Sequence, residues 1–98
     1  MATTESKEDK SRPERIAAPT AMRHAAGQLA ELLGCEPASV SALKVTEDGW
    51  SADVEVVEIE RVPDTSSVMA SYRVALDAQG QLLEYERIRR YARGQVDR

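Results

Sequence analysis

From Trp50 to Tyr91 the chain alternates apolar and polar residues in three runs divided by two turns. Trp50, Ala52, Val54 and Val56 alternate with Ser51, Asp53 and Glu55, the period of two that marks a strand with one buried face. The apolar phase then slips by one residue, to Val57 and Ile59 with Glu58 and Glu60 outward, which predicts a β-bulge at Val56-Val57. At Val62-Pro63-Asp64-Thr65 the proline presets one turn dihedral and the aspartate can bond its own backbone, so the chain must reverse there. Val68, Ala70, Tyr72, Val74 and Leu76 form the next strand, and Asp77-Ala78-Gln79-Gly80 closes a hairpin with Gly80 at a left-handed position. The last strand, Gln81 to about Tyr91, has two competing phases. Leu83 and Tyr85 lie on one face and Leu82 and Ile88 on the other, and periodicity leaves open which set is buried.

Upstream, the period changes to that of a helix. Pro19 to Leu33 places Met22, Ala25, Ala26, Leu29, Leu32 and Leu33 on one stripe, with proline at the start and Gly34 where a left-handed C-terminal residue belongs. Burying the three leucines and the methionine at about 1.5–3 kcal/mol each makes this helix the lid of the core. Gly27, at about 1 kcal/mol less favourable than alanine in a helix, suggests close approach of another backbone. Val40 to Val45 reads as a short strand, joined to the Trp50 strand through Thr46-Glu47-Asp48-Gly49. The predicted fold class is α+β: one N-terminal helix packed on a curved four-stranded antiparallel sheet, cystatin-like or roll-like. One sheet face belongs to the helix, and the other, with Asp53, Glu55, Arg73 and some of the C-terminal arginines, is left for solvent or a partner.

Ninety-eight residues allow one domain, burying roughly two thirds of the surface exposed by the unfolded chain. Residues 1–15 carry four acids and four bases and no apolar residue after Ala2 apart from Pro13, so a disordered tail is expected there and a single domain over 16–98. Four aromatic residues and no phenylalanine argue against a deep aromatic ligand pocket. The single Cys35 excludes an internal disulfide framework, and MATTESKEDK lacks the apolar run of a signal peptide, which together predict a cytoplasmic location. No apolar segment is long enough to span a membrane. The formal net charge of −4 is unevenly spread: residues 16–83 carry net −6 and residues 84–98 carry net +2. That asymmetry points to a polar contact between the two regions or with another chain, and away from bulk nucleic-acid binding.

Catalytic chemistry has few carriers. His24 falls on the helix side shared with Gln28 and Glu31, opposite the leucine stripe, which predicts a solvated histidine. Cys35 follows a helix C-terminus, where the macrodipole opposes thiolate formation. Asp53 with Glu55, and Glu58 with Glu60, sit two apart along a strand, roughly 6.5–7 Å between Cβ atoms, a spacing usable by acid/base carboxylates but usual for solvated ones. Neither a metal-ligand cluster nor a phosphate-cradling glycine loop occurs, and no cofactor is implied. Recognition-type residues concentrate in Arg87, Arg89, Arg90 and Arg93, interleaved with Tyr85 and Tyr91. Three readings are open: a docking surface for an acidic or mixed partner, intramolecular pairing with Glu55, Glu58 and Glu60, and nucleic-acid contact, which the acidic remainder opposes.

Four segments in order carry a family likeness: the Gly49-Trp50 start, the run V-E-V-V-E-x-E-R-V-P-D-T from Val54 to Thr65, the hairpin Y-x-V-x-L-D-x-x-G from Tyr72 to Gly80, and the ending Y-x-R-x-x-R-Y-x-R-G from Tyr85 to Gly94. From Gly49 to Gln95 the chain resembles the gas vesicle protein O family. The resemblance implies a small, soluble, non-catalytic accessory protein of gas vesicle assembly, working with the vesicle shell protein and other accessory proteins. It assigns no catalytic residue. Partner-binding residues therefore follow from exposure and composition: Arg87, Arg89, Arg90, Arg93, Tyr85 and Tyr91, with Glu58 and Glu60. Dimerisation through a sheet edge is a further expectation, and a small-ligand-binding or enzymatic cystatin-like domain is the alternative.

Overall fold

In the computed structural model, residues 14–95 are described. They form α1 (Ala18–Leu33), β1 (Pro37–Val45), β2 (Gly49–Ile59), a short 3-10 turn (Asp64–Ser66), β3 (Val68–Asp77) and β4 (Leu82–Ala92). The strands pair as an antiparallel meander in the order β1-β2-β3-β4, with α1 across one face. This is the expected α+β class, one helix followed by a four-stranded antiparallel sheet. The first thirteen residues of the predicted tail lie outside the described residues; Glu14 and Arg15 already touch the domain, through Gln79 Nε2 to the Glu14 carbonyl at 3.3 Å and Arg15 Nη2 to the Thr46 carbonyl at 3.0 Å.

α1 ends as its sequence dictates. Gly34 takes φ 70° and donates its N–H to the Ala30 carbonyl at 2.8 Å, closing the last turn in a conformation glycine adopts without penalty. The buried stripe, however, is Ala21, Ala25 and Leu29, with Ala18, Ala26 and Leu33 partly covered. Met22, 36% exposed, and Leu32, 57% exposed, stand outside it. Alanines at the centre let the helix axis approach the sheet closely, so the larger Met22 and Leu32 remain largely outside the contact. Gly27 likewise has nothing within 4 Å of where a Cβ would sit, so close approach does not explain it.

Beneath the helix, Trp50, Ala52, Val54 and Val56 of β2 and Ala70, Val74 and Leu76 of β3 complete the core, in the phases their alternation predicts. β1 begins earlier than its apolar residues suggest, at Pro37, which pairs with Val56; only Val40 and Leu43 rest against the core. The helix entry is tied to the sheet by the Trp50 indole, which donates to the Ile16 carbonyl at 3.0 Å, and by the Ile16 N–H to Ala78 O at 2.9 Å. At the β3–β4 turn Gly80 has φ 88°, and an added Cβ would collide with His24 Nδ1 and Ile16 Cδ1. His24 is accordingly half-buried, its Nδ1 3.2 Å from Gly80 O, in place of the solvated position predicted. Gln28 completes this tether: its Nε2 donates to Gly80 O at 2.7 Å and its Oε1 accepts from Leu82 N at 3.0 Å.

The register breaks correct two further expectations. Val57 pairs with Met69 and Ile59 with Val68, so the β2 bulge centres on Glu58, a residue beyond the predicted Val56-Val57. β4 breaks twice, leaving Ile88 and Leu83 as extra residues opposite β3. These insertions explain why no single period phases β4. Leu82, Tyr85, Arg87 and Arg90 pair with Leu76, Val74, Tyr72 and Ala70 on the helix-bearing side, whereas Glu84, Glu86, Arg89 and Tyr91 belong to the open side. The predicted grouping of Leu83 with Tyr85 against Leu82 and Ile88 fails because an extra residue resets the alternation on each side of Tyr85.

Candidate functional site: the two faces of the last strand

β4 divides its recognition-type residues between the faces of the sheet, and each face organises around one carboxylate of β2. On the helix-bearing side that carboxylate is Glu58. Arg90 Nε donates to its Oε1 at 2.8 Å, while Arg87 Nη1 and the Tyr72 hydroxyl reach Oε2 at 3.4 and 3.3 Å. Glu58 is the extra residue of the bulge and follows Val54 and Val56 in the alternation that faces the helix-bearing side. Burial opposes ionisation of Glu58, yet the hydrogen bonds and charges of Arg90 and Arg87 outweigh it and hold the carboxyl below its ordinary range. Burial, together with the Glu58 charge, raises the Tyr72 phenol. The arginines remain about half exposed, at 46% for Arg87 and 50% for Arg90, whereas the Glu58 side chain is 16% exposed. Tyr85 stacks beside Tyr72 with ring centroids 6.1 Å apart and planes tilted by 48°.

On the open side Glu55 joins all four strands. Its Oε2 accepts from Ser41 of β1 at 2.7 Å, and its Oε1 accepts from Ser71 of β3 at 2.5 Å and Tyr91 of β4 at 2.6 Å. Desolvation raises its pKa, but the three hydroxyl donors and the nearby Arg89 charge prevail and lower it. The same contact, with burial as the larger cause, pushes Tyr91 up to about 12. Arg89 lies over the Tyr91 ring, 4.5 Å from its centroid. Alongside, Arg73 holds Asp53 in a two-pronged pair at 2.9 and 3.1 Å.

The end of β4 is strapped to the loop before β3. Arg93 Nη1 lies 2.9 Å from both Asp64 oxygens, its N–H donates to Ser67 O at 2.8 Å, and Gly94 N–H donates to Thr65 O at 2.8 Å. Of the predicted site residues, Glu58, Arg87, Arg90 and Tyr85 thus gather on one side and Arg89 and Tyr91 on the other. Arg93 joins a separate loop pair, and Glu60 is exposed just beyond β2. The carboxylates read as solvated pairs are therefore divided: Asp53 and Glu55 occupy the open face, and Glu58 the helix-bearing one.

Sequence reasoning places Tyr72 in the core and misses its role beside Glu58. The hydroxyl is the available signal, since a tyrosine in an otherwise aliphatic alternation needs a polar neighbour. Ser41, Ser71 and Asp64 carry no such mark. Cys35 is half-buried, and burial followed by the Glu58 charge raises its thiol pKa, in the direction expected for an unreactive residue. Among the described residues no group of three or more histidine, cysteine or acidic side chains is placed to hold a metal. No helix among them is long and apolar enough to cross a membrane.

These features define an open-sheet α+β protein in which, among the described residues, one helix packs on the sheet and an exposed edge strand displays arginines and tyrosines to both sides. The chain belongs to the family described as gas vesicle synthesis protein GvpO, whose model matches residues 4–97. It is 58% identical over 77 residues to Gas vesicle protein O of Streptomyces sp. (strain CB03234), covering 79% of this chain and 60% of that protein. It is 45% identical over 49 residues to Gas vesicle protein O of Haloferax mediterranei, covering 50% of this chain and 35% of that protein. Gas vesicle protein O1 of Halobacterium salinarum is 42% identical over 50 residues, 51% of this chain and 42% of its own length. The matched part thus spans less than two thirds of each of these relatives. No solved structure matches the chain.

Proposed function

We propose that this protein is a non-enzymatic accessory factor of gas vesicle assembly, cytoplasmic and vesicle-associated, which acts by contacts of β4 with the vesicle shell protein and other accessory proteins. Family membership supports the vesicle role. One observation supports the use of β4: it is exposed without interruption from Leu83 to Arg90 and carries Arg87, Arg89 and Arg90 between Tyr85 and Tyr91. The internal pairs do not exhaust it, because Arg87 and Arg90 share the single carboxylate of Glu58 and keep about half their surface. Register breaks in both outer strands, β1 and β4, oppose addition of a further strand, which favours the faces of the sheet over its edges.

The test is complementation of a vesicle-forming host that lacks its own gene for this protein, combined with capture of the shell protein. Arg87, Arg89 and Arg90 changed together to alanine should reduce both vesicle yield and capture while the thermal transition survives. Undiminished capture by the triple variant would remove the assignment of β4.

A further inference from the structure

Between β2 and β3 the chain runs through Glu60 to Ser67, and that loop is tied down on both sides of its most exposed residue. The Arg61 N–H donates to the Oγ of buried Ser67 at 2.9 Å. Pro63 O accepts from the Ser66 N–H at 2.9 Å and from Ser66 Oγ at 2.8 Å. The Arg93 strap holds Asp64, and Gly94 packs so closely on Thr65 that an added Cβ would lie 2.9 Å from Thr65 Cβ. Two of the segments that carry the family likeness, ending in Thr65 and Gly94, meet in this strap. Val62 stands between the anchors, 99% exposed. Its side chain contributes no burial to the fold, whereas a partner that covers it finds the loop already ordered.

The same end of the molecule carries two adjoining depressions. The lining of one, of about 390 Å³, includes Leu33, Cys35, Ile59 and Tyr72. That of the other, of about 460 Å³, includes Glu36, Val57 and Glu60. They share Gly34, Cys35 and Glu58, and Arg90 neutralises Glu58 at 2.8 Å. Val62 lies three residues after Ile59, hence within about 11 Å of it along the chain, yet its exposure shows that it does not fill the apolar depression of its own chain. Arg61, Glu36 and Glu60 are exposed and form no ion pair among the described residues.

We propose that two copies of this chain pair about a two-fold axis at this end, Val62 of each entering the depression between Leu33, Ile59 and Tyr72 of the other, with Arg61 facing the other's Glu36 and Glu60. A two-fold contact uses one surface twice, so that surface must carry both complementary halves. Here it does: an apolar projection stands beside an apolar depression, and an unpaired cation beside two unpaired acids. The neighbours Arg61 and Val62 thus meet neighbouring depressions of matching character. Neither sheet edge is extended, so the register breaks in β1 and β4 do not oppose the pairing. Arg89 and Tyr91, on the open face, lie outside the contact, and the inference does not depend on β4 as a partner surface. A contact made by two loops and two depressions belongs to the small class, below about 1,200 Å², that forms transiently.

The test follows the isotope-labelled full chain by analytical ultracentrifugation and NMR between about 20 μM and 1 mM. The average mass should rise with concentration while resonances of Ile59, Arg61, Val62 and Tyr72 shift together. Val62→Asp should weaken association at least about tenfold. Arg61→Glu alone, and Glu36→Lys with Glu60→Lys, should each weaken it similarly, because like charges then face one another. An equimolar mixture of those two variants should associate about as well as wild type, since both charged contacts become attractive again. All four altered positions are exposed, so each variant keeps its fold. A monomeric mass at about 1 mM, a mixture no more associated than its components, or shifts centred on the outer edges of β1 or β4 would each overturn the proposal. Should the chain stay monomeric while Val62→Asp loses capture of the shell protein, the loop serves another protein and a second copy is excluded as its occupant.

Discussion

Changing Glu55 to alanine should destabilise the fold more than any other single surface substitution on the open face. Its carboxylate accepts hydroxyl hydrogen bonds from Ser41, Ser71 and Tyr91, at 2.7, 2.5 and 2.6 Å. Hydrogen bonds to charged groups contribute about 1.5–3 kcal/mol each when buried; this site is half-buried, and freed hydroxyls regain water, so about 1 kcal/mol each is the fitting figure. The total is about 3 kcal/mol. For a domain this small, each kcal/mol shifts Tm by about 4–8 °C, so the Tm followed by circular dichroism at neutral pH should fall by on the order of 12–24 °C. Glu60→Ala, at an exposed position beyond β2, is the control and should stay within about 0.5 kcal/mol. The pH dependence supplies a second constraint. Because folding lowers the Glu55 pKa, its stabilisation is complete above the unfolded value of about 4.3 and is lost as pH falls through the folded value. The gap between wild type and Glu55→Gln should therefore be widest near neutrality and close in acid. A Glu55→Ala protein that melts within about 2 °C of wild type would refute the view that this carboxylate holds the four strands together.

Tyr91→Phe should remove a component centred near pH 12 from the tyrosinate absorbance titration; since the folded pKa is the higher one, the associated stability is present below about 10 and lost as pH rises toward 12. Gly80→Ala should cost about 2–4 kcal/mol in urea unfolding, through left-handed strain plus collision with His24 and Ile16, and an unchanged midpoint would contradict that packing. Glu58→Ala should change stability by less than about 1 kcal/mol, because its arginines are half exposed, while loosening the Arg87 and Arg90 signals in NMR relaxation. Leu32→Ser should be neutral to within about 0.5 kcal/mol by urea unfolding, in contrast to Leu29→Ser, which opens the core.

Residues whose environment is decided locally are legible in sequence. The αL glycines Gly34 and Gly80, the three reversals and the alternation of β2 and β3 all follow from backbone sterics and a single buried face. What escapes depends on neighbours distant in sequence. Hydrophobicity alone favours Met22 and Leu32 in the stripe of α1, whereas the packing buries Ala21 beside the predicted Ala25 and Leu29. His24 and Gln28 look like solvent-facing polar residues until the β3–β4 turn arrives beside them with a carbonyl and an amide to satisfy. The arginines of β4 can be recognised as a cluster, but their division between faces is produced by insertions at Ile88 and Leu83, which composition does not reveal. Intramolecular pairing and partner contact, alternatives in the sequence, prove compatible: Glu58 orients Arg87 and Arg90 without covering them.

Trp50 is the sole tryptophan of the chain, 9% exposed, with its indole N–H on the Ile16 carbonyl at the seam between the helix entry and the sheet. The molecule thus contains one indole fluorophore, which can be excited apart from its three tyrosines and is positioned on the joint that must yield if α1 lifts from the strands. A partner that settles beside the helix without disturbing it would leave the emission spectrum in place. One that pries the helix away would wet the indole and move its emission to longer wavelength, so an unlabelled sample can distinguish lateral docking from opening of the domain.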